Sequence, residues 1–252
     1  MRKLSLIIVI ALIAIMKIGA QDLTGKSVLI YSFVGEGYVH ENIAASVKAL
    51  EEICASVGVN TEHADDPSVF QRRGLSDFDA IIFTNTNTEA FLKGRQKSKF
   101  KEFIESGKGF MGIHGAAGSE PEWMWFVNMI GGRFVRHPKL QSFDIKVIDG
   151  QHISATHLPE TWSWEDECYF FEYLNPAINV LLAADLTTVT DNKTDAYHPG
   201  KIFGDLTPLA WYHNFNGSRV FYTALGHKKE YYGDPDFRNH LEGGIKYILG
   251  MD

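Results

Sequence analysis

The sequence has two cysteines in 252 residues, too few for a disulfide framework to hold a chain of this size. Cys54 falls on the apolar side of a predicted helix and Cys168 in a strand-like run, both suited to a small buried hydrophobe. Neither sits in the Gly-rich turn that a nucleophilic thiol needs, and pairing of the two is not expected. Long hydrophobic runs are missing too. Leu4–Met16 is broken by Ser5 and closed by Lys17, short of the roughly 20 apolar residues that span a bilayer. Preceded by Arg2 and Lys3 and followed by Ile18-Gly19-Ala20, this run reads as a secretory signal peptide, residues 1–20, cleaved after Ala20. The expected location is therefore secreted, in the periplasm, with residues 21–252 as one mature domain.

An excess of basic residues is likewise absent. The formal charge is −7, and cleavage would remove Arg2, Lys3 and Lys17 but no acid, giving −10. Such a surface repels phosphate backbones and anionic lipid, so no nucleic-acid partner and, after cleavage, no membrane partner is expected. Small neutral or cationic ligands suit it better. The one basic stretch, Lys93, Arg95, Lys97, Lys99 and Lys101, reads as a solvated helix face.

Short apolar runs without clean alternation mark strands buried on both faces: Lys26–Phe33, Asp79–Thr84 and Gly109–Ile113, with Val59–His63 between the first two. Between them lie helical stripes, Ile43 to Val57 ended by Gly58, and Gln96–Ser106. Ser119 and Glu122 predict a capping box for a helix over 120–130. The second half is richer in strands (Gln141–Ile148, Val180–Ala184, Leu209–Asn214, Arg219–Ala224), with Asn216-Gly217 turning the last pair into a hairpin. A closing helix starts at Asp234-Pro235. This order predicts an α/β fold, a mostly parallel sheet in three layers of the flavodoxin-like kind, with a β-rich C-terminal extension.

One polar side chain, His114, stands among small residues in Gly112-Ile113-His114-Gly115-Ala116 at the carboxyl end of a central strand, where open α/β sheets bind ligands. The setting is that of a nucleophile elbow, but its occupant is a histidine, which disfavours Ser or Cys nucleophilic catalysis. A histidine there can be an acid/base, a metal ligand or a hydrogen-bond donor. No H-E-x-x-H spacing singles out a zinc site, so no metal ligand is assigned, although zinc or another divalent ion remains an open cofactor. Glu165 and Glu167, two apart, face one side if they lie on a strand and raise a paired-carboxylate glycosidase as an alternative. Aromatics at Trp162, Trp164, Trp211, Tyr212, Tyr231 and Tyr232 can stack on sugar rings or fill a core; core burial is expected for Trp162 and Trp164, while Tyr232, beside Gly233, is the better ligand contact.

The segments GKGFMGIHGA, GGRFVRHP, LPETWSWEDECYFF and PLAWYHNFNGSRVFYTALGH, in this order, resemble the successive motifs of the ThuA-like (trehalose utilisation) family from about Lys26 to Gly250. The resemblance implies a fold like class I glutamine amidotransferases and a part in sugar catabolism, 3-keto disaccharides included. It places site residues at His40, His114, His137, Glu167 and His227. With His114 where an amidotransferase has its cysteine, amidotransferase activity is not expected. The reading is an exported carbohydrate-active enzyme doing acid/base chemistry on a glycoside or 3-keto-sugar, a hydrolase or lyase. His114 and Glu167 form its catalytic pair, and His40, His137, His227, Tyr232 and Trp211 bind the substrate. The alternatives are a noncatalytic sugar-binding protein and a metal-dependent hydrolase using the same histidines.

Overall fold

The computed structural model describes residues 23–192 and 203–252; the expected signal peptide and His198 lie outside them. Strands β1 (Ser27–Tyr31), β2 (Asn60–Ala64), β3 (Ala80–Thr84) and β4 (Gly109–Ile113) alternate with helices α1 (Ile43–Ser56) and α2 (Gly94–Glu105). After β4 come α3 (Met124–Ile130) and strands β5 (Arg133–Arg136), β6 (Gln141–Val147), β7 (Thr161–Asp166), β8 (Phe170–Glu172) and β9 (Asn179–Asp185). The chain closes with β10 (Leu206–Phe215), β11 (Ser218–Thr223) and α4 (Pro235–Ile248). Nine strands form one sheet in the order β2-β1-β3-β4-β11-β10-β9-β6-β7. The β2 to β11 half is parallel, and every pairing from β11 to β7 is antiparallel. The β-rich extension therefore continues the same sheet. A separate ribbon, β5 paired with β8, carries the segment just before His137.

Register explains the layers. Ile81 pairs with Phe110 and Phe83 with Gly112, so these side chains share a face. There Phe83 and Phe110 meet Phe100 of α2 and Phe126 of α3 in one aromatic cluster. The opposite face presents Ile82, Met111 and Phe221, and Phe221 packs on His240 and Gly244 of α4. Helix α1 joins that layer through the Arg238 to Glu52 ion pair, 3.2 Å.

Two elements were not expected from sequence, β5 and β7 as a full strand, and the strand-like run expected at Cys168 is shifted: Cys168 lies between β7 and the three-residue β8. Helix α3 starts later than expected, at Met124. The Ser119 hydroxyl donates to Thr86 Oγ1 (2.8 Å) instead of capping, and Glu122 lies out in solvent. A 3-10 turn, His114–Gly118, follows β4 directly, and residues 120–122 form a bend and turn where the first helical turn was expected. The basic stretch is only partly a solvated face: Lys99 and Lys101 pair with Glu102 and Glu105, but Lys97 reaches the buried Glu120. Both cysteines are free and buried, and burial pushes the Cys54 thiol up to about 12. Among the described residues no helix is long and apolar enough to cross a membrane.

Candidate functional site

The parallel strands end along one edge, and the segments leaving β1, β4 and β11 deliver His40, His114 and His227. Glu167 follows β7 directly, and His137 follows β5. The structure thus brings together all five polar positions that the family resemblance implied. Glu167 is their hub. Its Oε2 lies 3.2 Å from His227 Nδ1 and 3.5 Å from His114 Nε2, and its Oε1 lies 3.5 Å from His137 Nε2. The rings of His40 and His114 stand edge to face with centroids 4.8 Å apart.

Hydrogen bonds fix what each imidazole can offer. His114 holds a strained backbone, φ +50°, at the end of β4. Its Nδ1–H donates to the Ala224 carbonyl (2.6 Å), so Nε2 points its lone pair into the cluster, where the Tyr169 hydroxyl donates to it at 3.0 Å. His137 is pinned in the same sense by donation from Nδ1–H to the Pro138 carbonyl, 2.8 Å. Burial, then the neighbouring His114 and His227, pushes the His40 imidazole down to about 3, and its Nδ1 is buried without a hydrogen-bond partner. Burial alone would raise the Glu167 carboxyl. The imidazoles of His114, His227 and His137 that surround it outweigh burial and hold the carboxyl well below the usual range. The bond to Glu167 in turn raises His227.

Two buried polar residues that sequence reasoning missed organise this constellation. Asp166, fully buried, accepts from the backbone N–H groups of Glu167 (2.9 Å) and His227 (3.3 Å) on one oxygen. Its other oxygen accepts from the Gly226 N–H (2.8 Å) and the Trp164 indole (3.1 Å). Burial pushes its carboxyl up, against the neighbouring His114 and these donors. Four N–H donors on two oxygens leave no place for a proton, so we read Asp166 as ionised. Asn42 works from the other side, its Nδ2 donating to Asn85 Oδ1 (3.1 Å) and to the carbonyls of Gly226 (2.5 Å) and His227 (2.8 Å). Tyr169 was missed as well; its ring lies between those of His114 and His137, 4.6 and 5.6 Å away.

Two expected substrate contacts are corrected. Trp211 is completely buried, its indole donating to the Ile130 carbonyl (2.8 Å) under Gly131, so it is a core residue. Tyr232 is 3% exposed; its hydroxyl donates to the Gly226 carbonyl (3.1 Å) and accepts from Asn85 (3.2 Å), which braces the His227 segment from behind. Trp162 is buried and Trp164 half-buried against the core, their rings tilted at 43° with centroids 4.6 Å apart, as expected of core aromatics. Glu165 pairs with Lys228 outside the cluster, so it is no second carboxylate across the site from Glu167.

One nitrogen or oxygen from each of His40, His114, Glu167 and His227 lies within 4.8 Å of the others. Zinc bonds of 2.0–2.1 Å imply ligand-to-ligand edges of roughly 3.3–3.4 Å in a tetrahedron. The three edges among His114 Nε2, His227 Nδ1 and Glu167 Oε2 are 3.4, 3.5 and 3.2 Å. These donors fit one face of such a site, and His114 has the backbone-pinned imidazole typical of a metal ligand.

Comparison with known proteins agrees with this frame. A ThuA-like protein from Bacteroides uniformis is 20% identical with a TM-score of 0.69, covering 90% of this chain and 92% of that one. A ThuA-like protein from Parabacteroides merdae is 18% identical with a TM-score of 0.69, covering 89% and 90%. A glutamine amidotransferase from Thermotoga maritima is 10% identical with a TM-score of 0.51, covering 89% and 98%, a likeness of fold alone. No curated protein matches the chain. The profile of the family described as trehalose utilisation matches residues 27–248, nearly all of the described chain, and links it to sugar metabolism. This chain belongs to the ThuA, or trehalose utilisation, family.

Proposed function

We propose that this protein is an exported, metal-dependent carbohydrate-active enzyme that acts on a glycoside or 3-keto-sugar, with His40, His114, Glu167 and His227 as the metal ligands. The observation that carries this reading is the near-equilateral triangle of His114, His227 and Glu167 donors, with the His114 tautomer pinned by Ala224. It replaces the simpler pairing of His114 and Glu167 as proton carriers. His114 is fully buried and Glu167 stays ionised, so neither is placed to exchange a proton with substrate; a metal on His114 Nε2 would take the lone pair to which the Tyr169 hydroxyl otherwise donates. A divalent ion in this cage would polarise a sugar carbonyl or hydroxyl oxygen. His137 is 22% exposed at its side chain and turns Nε2 toward Glu167 at the rim, which suits it to give or take the substrate proton.

The test is metal analysis of the purified protein, followed by turnover of disaccharides and their 3-keto forms with and without chelator. The expected result is about one divalent ion per chain and turnover that chelation abolishes and metal restores. Turnover by metal-free protein refutes the metal role. Sugar binding without turnover in the metal-loaded protein refutes the enzyme and leaves a binding protein.

A further inference from the structure

The metal ligands are largely shielded: His114 is fully buried, and His40 and Glu167 nearly so. His227 is about a quarter exposed at its side chain, and it forms one wall of a cavity of about 290 Å³. The other walls are Tyr38, Glu41, Lys228, Lys229 and Glu230. We infer that this cavity is the subsite for one pyranose ring of a neutral sugar, with Tyr38 as its stacking platform. The inference rests on the carbohydrate reading above and adds to it the size and charge class of the substrate group.

Three features support it. Tyr38 is 62% exposed, unusual for so large an aromatic ring, yet it is held in place. Its ring stands edge to face with His40 at 4.9 Å between centroids, and its carbonyl accepts from Asn87 Nδ2 at 3.4 Å. An added Cβ on the neighbouring Gly37 would come within 2.7 Å of Thr88 Oγ1, so that backbone lies tight against its support. A fixed aromatic face offers the C–H side of a sugar ring a surface at little entropic cost. Second, the polar walls balance: two carboxylates face two ammonium groups, and Lys228 is already paired with Glu165. Hydroxyls can both donate to Glu41 and Glu230 and accept from Lys229, whereas a phosphorylated sugar would bring its charge against both carboxylates. Third, the volume sits at the bottom of the range for ligand pockets, about 300–1,000 Å³. It suits one ring, and the second ring of a disaccharide stays outside.

Calorimetric titration of the metal-loaded protein with glucose, trehalose and glucose 6-phosphate tests this, using wild type, Tyr38→Ala and Tyr38→Phe, with metal content measured in each. Glucose and trehalose should bind wild type within a few-fold of each other, and glucose 6-phosphate more weakly. Tyr38→Ala should weaken both neutral sugars by about 10-fold at unchanged metal content, and Tyr38→Phe should stay within about 2-fold of wild type. Wild-type affinity in Tyr38→Ala overturns the inference, as does tighter binding of the phosphorylated sugar or no binding of neutral sugars. Failure of the metal reading shows separately, as wild type without metal, and Tyr38-dependent sugar binding would still establish the subsite.

Discussion

Replacing Asp166 with Asn keeps the shape of the side chain and removes the charge, which isolates what the carboxylate does. Asp166 accepts four N–H groups on two oxygens, at 2.8, 2.9, 3.1 and 3.3 Å, in a fully buried position. Asn has one acceptor oxygen, and its NH₂ would face two of the same donors. Two buried N–H groups lose their partner at about 1–3 kcal/mol each, so the expected destabilisation is about 2–6 kcal/mol. Against a typical stability of about 5–15 kcal/mol the variant should still fold in most of that range. The displaced donors are either the backbone N–H groups of Glu167 and His227 or those of Gly226 and the Trp164 indole, so one or both of the ligands Glu167 and His227 shift with them. Zinc affinity should then fall by about 10- to 100-fold, as for other residues that orient metal ligands. Urea unfolding followed by circular dichroism measures the first effect, and competitive zinc titration of the folded variant the second. Unfolding within about 0.5 kcal/mol of wild type together with unchanged zinc affinity would refute the positioning role.

His114→Gln keeps a donor and an acceptor but loses the imidazole ligand; turnover should fall by about 10² to 10⁴ along with zinc affinity, and substantial turnover in the variant removes His114 from the site. Trp211→Phe deletes the indole donor to the Ile130 carbonyl and should cost about 1–3 kcal/mol in urea unfolding, with sugar affinity unchanged; the opposite pattern would restore Trp211 as a substrate contact. His240 is buried, donates Nδ1–H to the Ser154 carbonyl, and is held by burial at about 3. The unfolded chain, with a histidine near 6.5, takes up this proton first as pH falls. Its contribution is therefore complete above about 6.5 and declines by about 1.4 kcal/mol per pH unit between there and about 3. His240→Gln should lose about 2 kcal/mol less than wild type between pH 7 and 5, and equal losses by urea titration would contradict this.

The parallel half was legible because strands buried on both faces leave compact apolar runs, and β1, β3 and β4 fall within a residue or two of theirs. The Asn216-Gly217 hairpin and the Asp234 cap of α4 were legible for an equally local reason: both residues of the turn have positive φ, and the Asp234 carboxylate accepts from the Phe237 N–H. Strand β5 was not legible, and β8 was legible only as a strand-like run at Cys168, without bounds. With four and three residues, Arg133–Arg136 and Phe170–Glu172 are too short to show a period, and they are defined by each other across 39 residues of chain, Arg133 pairing with Glu172. Ser119 misled in a different way: the spacing to Glu122 matches a capping box, but a tertiary partner, Thr86, takes the hydroxyl. In the site, histidines at strand ends were visible as chemistry, whereas Asp166 and Asn42 were not. Nothing in an acid or amide within the sequence tells whether its partners will be water or, as here, the backbone of a loop some 60 or 185 residues away.

The position of His114 also bears on how an amidotransferase-like fold could host the chemistry proposed here. A strand that ends in a tight turn with positive φ presents one side chain at the sheet edge, and in that fold the useful occupant is a thiol that must stay reachable by substrate. Here the turn is kept, φ +50° at His114 followed by a 3-10 turn, but the side chain is folded under Tyr169 and tied to Ala224. A nucleophile so enclosed would be useless. A ligand so enclosed gains, because burial keeps competing water away and the carbonyl bond fixes the lone pair toward its neighbours. The same strain that exposes a nucleophile in one relative can hold an imidazole immobile in another. On the proposed metal-dependent reading, substrate would meet the more exposed groups around the elbow, His137, His227 and Tyr38, and not the elbow itself.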